Sequence, residues 1–315
     1  MDVSAIIQEY GAYYLNSGQN MARLKRLLLF GRETVKNATP IKTNDTVYQM
    51  GSSYIDSIVQ PFQKTYTPKG NPLFKPNPIY LYHMKVDMDI WPDDIEATWL
   101  GFLAANNLSR KEWPLIRYLL EVHVFDQIEN DMEMKLYYKG QFQAPTPGTA
   151  GDTEDSMNGL KYLLENKPVN RINIGTLDIA TIYDQIEYGY EQVAEEYQNV
   201  PMVVGLSPKW RRAFLKDKRA LGYYQHTNPG QIDDTLDFSP AKVTGFPSMI
   251  GTDDIWITPV KNLIHLTKKG ENAGNMKLEE SKRCVSFLTD WWEGLGFGLN
   301  EVVWTTVEEA TPPTP

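Results

Sequence analysis

The stretch Asn107–Gly140, NLSRKEWPLIRYLLEVHVFDQIENDMEMKLYYKG, decides the fold. Ser109 followed three residues later by Glu112 is a capping-box pattern, each side chain meeting a backbone N–H at a helix start. Pro114 is tolerated only in a first turn, so the regular helix is predicted to begin near Trp113. Ile116, Leu119, Leu120, Val124 and Ile128 then recur at helical spacing, with Glu121, Asp126, Glu129, Asp131 and Glu133 expected on the remaining surface. Gly140 is a stop signal and Pro145 forbids continuation. At about 1.5 Å per residue the helix, about 110–139, spans roughly 40 Å. A helix that long suits a spine tying distant parts of a flat molecule together.

Upstream lies a projecting element. In IVQPFQKTYTPKGNPLFKPNPIYLYHMKVDMDIW, 58–91, Val59–Tyr66 and Ile79–Ile90 read as strands, the second by alternation of Tyr80, Tyr82, Met84, Val86, Met88 and Ile90. The proline-rich TPKGNPLFKPNP between them excludes regular structure and presents Leu73 and Phe74. A protruding hairpin with such a tip either touches another molecule or folds onto its own core. Residues 1–57 read as an arm. Its MARLKRLLLFGRET forms a short amphipathic helix with Leu24, Leu27, Leu28 and Phe30 apolar and Arg23, Lys25, Arg26 and Arg32 charged, followed by the polar turn segment NATPIKTND. Asp93–Asn106 is a helix with acids at its positive end.

Downstream, GQFQAPTPGTAGDTEDS, 140–156, is the clearest linker. Residues 157–265 alternate helix and strand. Asp178 is expected to cap a helix running through Ile182, Ile186, Tyr190, Val193 and Tyr197, with Asp184, Glu187, Glu191, Glu195 and Glu196 facing away. MVVGL, 202–206, is a buried strand. Ser207–Pro208 opens a helix carrying Lys209, Arg211, Arg212, Lys216, Lys218 and Arg219, stopped by Gly222. That basic run is a solvated face, or a contact for an acidic surface such as 184–196. Strand signals resume in AKVTGFPSMIG, DDIWITPV and NLIHLT. At the end RCVSFLTDWW reads as a strand, GLGFGLN as a glycine-rich turn, EVVWTTV as a return strand and 308–315 as a disordered tail.

The chain has 315 residues, 42% hydrophobic, with 18 Tyr, 8 Trp and a formal net charge of −9 at pH 7. This balance argues against a sequence-reading nucleic-acid binder, whose affinity rests on Lys and Arg at phosphates. The single Cys284 forbids an internal disulfide. No run approaches the roughly 20 apolar residues of a membrane span. His83, His123, His226 and His265 show no ligand spacing, and no phosphate-loop or nucleophile-elbow frame is met. No catalytic, cofactor or metal residue is nominated.

In order, these pieces are arm, projecting hairpin, long helix, inserted α/β domain and return strands. That order, an α+β architecture, resembles the Hong Kong 97-like major capsid protein fold of tailed bacteriophages, also used by encapsulin nanocompartments. The segments carrying it are VQPFQKTYTPKG, KVDMDIWPDDIEATWLGFLA with RKEWPLI, PTPGTAGDTEDSMNGLKYLL, YEQVAEEYQNVPMVVGLSPKWRRAF, ITPVKNLIHLTKKG and DWWEGLGFGLNEVVW, over roughly 1–305. The wording is similar to that of capsid proteins of crAss-like and related Bacteroidetes phages.

The resemblance implies an arm at 1–57, an extended loop at 58–92 lying over a neighbour, a peripheral domain of 93–145 with 266–307, and an axial domain of 146–265. It implies a virion shell subunit, not an enzyme, without cofactor or membrane, self-assembling into hexamers and pentamers in the host bacterial cytoplasm around double-stranded DNA. Scaffolding, portal and head-decoration proteins are the further partners. The long N-terminal scaffold-like extension that some members carry and cleave is not at the start, so the resemblance implies that it was removed or that a separate protein supplies scaffolding. Inter-subunit contacts are expected from Lys69, Leu73, Phe74 and Lys75 in the hairpin, Leu27 and Phe30 in the arm, and Arg211, Arg212 and Lys216 in the axial domain. Some relatives are cross-linked by Lys–Asn bonds; Lys64, Lys69 and Lys75 lie in the hairpin, but the sequence names no partner. An encapsulin-type shell enclosing an enzyme, and a soluble enzyme with an unfamiliar site, are the alternatives.

Overall fold

The computed structural model describes residues 32–55, 57–222, 233–270 and 276–310. Two five-stranded sheets carry most of the body, and a separate two-stranded hairpin stands off them. In the first sheet β1 (Thr39–Thr43) runs parallel to β9 (Leu263–Lys268). The long β11 (Cys284–Phe297) is antiparallel to β9, β4 (Tyr82–Ile90) and β10 (Met276–Ser281). Helices α1 (Glu33–Lys36) and α2 (Pro92–Asn106) and the spine α3 (residues 115–136) accompany this sheet. The second sheet has the order β5 (Asn170–Arg171), β12 (Trp304–Thr305), β8 (Trp256–Pro259), β6 (Met202–Leu206), β7 (Lys242–Gly245). Its companions are α4 (Leu160–Asn166), α5 (Ile182–Glu191) and α6 (Pro208–Ala220).

The spine forms as expected, with a refinement. The capping box closes around Ser109–Glu112, but Pro114 then starts a new helix, so the box caps a single turn ahead of α3. Leu120–Val124 and Met132–Leu136 are π-helical turns. Each takes up an extra residue, which rotates the downstream side chains by about a quarter turn. A strict 3.6-residue period therefore misplaces Glu133, which is buried and not on the surface. Ile116, Leu120, Val124, Phe125, Ile128, Met132 and Leu136 face the main core with Val285, Phe287 and Leu295.

Four other expectations change. The segment NATPIKTND supplies β1, because parallel pairing to β9 satisfies its backbone. GLGFGLN is no turn: β11 runs straight through Gly294 to Phe297. A Cβ at Gly294 would lie 2.1 Å from the Tyr80 carbonyl oxygen, and one at Gly296 2.6 Å from Ile79, so these glycines permit close crossing of chains. Trp304–Thr305 leaves the first sheet and pairs with β5 and β8. The Asp178 helix starts at Ile182 and stops at Glu191; Asp178 instead accepts from the Ala180 N–H in a turn, and Asp217 accepts the Tyr183 N–H.

Candidate inter-subunit surface and its anchor

The hairpin is built differently from its sequence reading. Val59–Tyr66 carries no strand; β3 (Pro72–Tyr80) pairs instead with β2 (Val47–Ile55), from Val47 opposite Tyr80 to Ile55 opposite Pro72. Pro72, Pro76 and Pro78 stand at even separations. Alternate amides of a strand point to opposite edges, so all three missing N–H groups fall on the edge away from β2. Nine-residue strands at about 3.3 Å per residue carry the tip roughly 30 Å from the root.

The tip, 57–71, presents uncovered apolar side chains among polar ones. Phe62 is 93% exposed, Tyr66 89% and Val59 82%, with Ile58 also exposed. Lys69 donates to the Val59 carbonyl at 2.8 Å and ties the tip's two sides together. Leu73 and Phe74 are exposed on the stem, and Lys75 lies 3.9 Å from Glu301. At the root Ile79 and Leu81 pack with Ile264 and Leu266, while Asn77 donates to the Phe297 and Gly298 carbonyls. Beside the root opens a cleft of about 500 Å³, its walls including Tyr80, Tyr82, Phe142 and Tyr162. Burial, with the nearby Tyr162, pushes the Tyr82 phenol up to about 12.

Two buried carboxylates hold the segment leading into the hairpin. Arg32, read in the sequence as a charged residue of a short amphipathic helix, is fully buried; its guanidinium donates to both oxygens of Glu293 at 2.8 Å and to the Tyr137 hydroxyl. His265 Nε2 lies 2.8 Å from Glu293 and Trp291 Nε1 donates at 3.2 Å. Burial alone would raise the Glu293 carboxyl, but the charges of Arg32 and His265 and the surrounding donors hold it well below the usual carboxylate range. Glu133 accepts from the Thr34 N–H at 3.2 Å and Thr34 Oγ1 at 2.7 Å; there burial prevails and the carboxyl is raised.

No family model and no curated protein matches the chain. Solved structures do. One from the satellite phage P4 procapsid, including its size determination protein, gives a TM-score of 0.56 over 92% of this chain and 100% of its own, at 13% identity. Microbacterium phage Oxtober96 gives 0.52 at 11% identity, covering 89% of this chain and 91% of that one. The capsid of Myoviridae phage XM1 gives 0.51 at 12%, covering 85% and 89%. The chain has the Hong Kong 97-like capsid fold.

Within that fold, the residues singled out from the sequence do not form one site. Lys69, Leu73, Phe74 and Lys75 share the hairpin. Leu27 and Phe30 lie outside the described residues. Arg211 is turned toward Asp234 at 3.3 Å, while Arg212 and Lys216 are exposed on α6. Lys218, read as part of the same basic face, is fully buried, paired with Asp233 at 2.8 Å and Asp237 at 2.9 Å. Sequence reading missed Val59, Phe62 and Tyr66 as exposed because it placed them in a strand. Their signal was Pro61 and Pro68, which bracket the aromatics and remove ladder donors. It also missed Glu293, a lone acid amid WWEGLGF that has to find a cation once buried. Among the described residues no cluster of His, Cys, Asp and Glu could hold a metal ion, and no helix is long and apolar enough to cross a membrane.

Proposed function

We propose that this chain is a major capsid subunit that assembles into hexamers and pentamers of an icosahedral shell around double-stranded DNA. The observation that carries the reading is the tip, whose aromatics are exposed on a stalk roughly 30 Å from the root. Phe62 and Tyr66 are left uncovered by this chain's own body; a neighbouring copy can bury them. A contact repeated head to tail by one chain closes a ring or extends a lattice. Likeness to phage capsid structures supports the same reading. The first sheet with α3 serves as the peripheral domain and the second with α4, α5 and α6 as the axial domain. A virion of a tailed phage, with crAss-like phages as the relatives suggested by sequence wording, is the setting. Scaffolding, portal and decoration proteins are the partners, and the role is structural, with assembly in the host cytoplasm. The net charge of −9 fits an inner wall that contains DNA without gripping it.

Negative-stain microscopy of the expressed protein is the test. Closed shells or capsomer rings are the expected result. A stable monomer at high concentration overturns the reading, and a shell that recruits a protein cargo and has no portal vertex replaces it with the nanocompartment alternative.

A further inference from the structure

The outward faces of α5 and α6 carry segregated charge. On α6, Lys209, Arg212, Lys216 and Arg219 are exposed at separations of three and four, which places them on one face. Arg212, Lys216 and Arg219 have no ion-pair partner among the described residues, and the one acid of α6, Asp217, is turned inward onto the Tyr183 N–H at 2.9 Å. On α5, Asp184, Glu187 and Glu191 form the matching stripe with the exposed Tyr188 between them, and α5 contains no basic residue. Like charges one turn apart repel and destabilise the isolated helix. Burial raises the Glu187 carboxyl, and Glu191, Asp184 and Asp237 add to the rise.

A second observation lies at the edge of the acidic stripe. The Ser239 N–H donates to the Leu236 carbonyl at 3.3 Å, closing a turn in which Phe238 has φ of 58° and is fully exposed. A bulky residue is disfavoured in the left-handed region, and this position favours Gly or Asn. The turn is nevertheless held: Lys218 is buried beneath it, donating to the Thr235 carbonyl at 2.7 Å and pairing with Asp233 and Asp237. Asp237, next to Phe238, pairs with Lys218 at 2.9 Å, and Asp217, next to Lys218, accepts the Tyr183 N–H at the start of α5, which brings this turn close to the end of α5 where the acidic stripe begins at Asp184. An exposed aromatic presented on a fixed turn next to a charged rim is the make-up of an interface anchor.

We propose that this face binds a second copy of the chain, the acidic stripe of one subunit seating on the basic stripe of the next, with Phe238 buried between them. Charge complementarity selects that occupant. Nucleic acid fits poorly, because the acidic stripe adjoining the basic one repels phosphate. The proposal takes its setting from the shell reading and adds the surface on which axial domains meet.

A charge-swap set tests it, using the full chain, thermal melting for folding and sedimentation velocity for association. One variant carries Asp184→Lys, Glu187→Lys and Glu191→Lys; the second carries Arg212→Glu, Lys216→Glu and Arg219→Glu; the third carries all six. The expected result is melting like the wild type throughout and at least a ten-fold loss of the assembled fraction in the first two. Recovery follows when those two are mixed and in the six-fold variant, and wild-type assembly weakens as salt rises. Unchanged assembly of either three-fold variant overturns the proposal, as does failed recovery in folded protein. So does loss of binding to a duplex DNA fragment in the second variant with assembly intact. If the wild type forms small oligomers but no shell, the shell reading falls, and the stripe contact is judged on whether the three-fold variants lose those oligomers. A strictly monomeric wild type sinks both.

Discussion

Arg32 and Glu293 are 261 residues apart in sequence and share two 2.8 Å contacts with no water-facing surface. Removing the Glu293 charge leaves Arg32 buried and without a counter-charge, which costs about 3–5 kcal/mol. Glu293→Gln should therefore lower the melting temperature sharply, and Arg32→Met with Glu293→Gln together should cost less than the sum of the singles. The pH dependence follows from the direction of each shift. Glu293 is depressed, so its contribution is present above the unfolded glutamate value of about 4.3 and is lost as pH falls through the lower folded value. Glu133 is raised, so its contribution is complete below the unfolded value and is lost as pH rises through the folded one. Melting temperatures taken from about pH 5 down to about pH 3 should fall less steeply in Glu293→Gln than in the wild type. A parallel slope would show that Glu293 carries no such linkage. None of this was legible in sequence, because an ion pair between distant residues leaves no local pattern.

At the scale of the element, local signals and tertiary contacts divide the account. Helix α6 was legible to its ends, Ser207–Pro208 opening it and Gly222, at φ of 79°, following it. Strand β6 was legible as the apolar run MVVGL, and α2 from its acids and closing asparagines. β11 was misread at GLGF because glycine signals a turn and a close crossing alike, and only the presence of Tyr80 and Ile79 decides between them. The hairpin was legible as a projection, but its register was not, since β2 (VYQMGSSYI) alternates weakly and its partner is rich in proline. Two glycine variants separate the cases. Gly294→Ala puts a methyl 2.1 Å from backbone and should destabilise by about 1–3 kcal/mol while loosening the hairpin root, read as faster amide exchange at Ile79–Leu81. Gly101→Ala, in α2 with nothing within 4 Å, should stabilise by roughly 0.5–1 kcal/mol. Equal effects at the two positions would mean that close approach is not why glycine stands at Gly294.

For the whole molecule, the succession of the described elements was legible and the contacts proposed between copies were not. Hairpin, spine and second sheet succeed one another along the described chain, so a linear reading reaches them. The mate proposed for an exposed surface lies on another chain, and sequence records only one side of such a contact. Each copy offers an apolar tip about 30 Å out, a cleft beside the root and paired charge stripes on the second sheet's helices. The central claim is that the tip acts only between copies. Sedimentation velocity of the wild type against Phe62→Ser with Tyr66→Ser measures it most directly, alongside thermal melting. The expected result is equal melting temperature, fast-sedimenting assemblies for the wild type and a folded monomer for the variant. Assemblies of the same size and yield from the variant, or a lowered melting temperature showing that the tip packs on its own body, would contradict it.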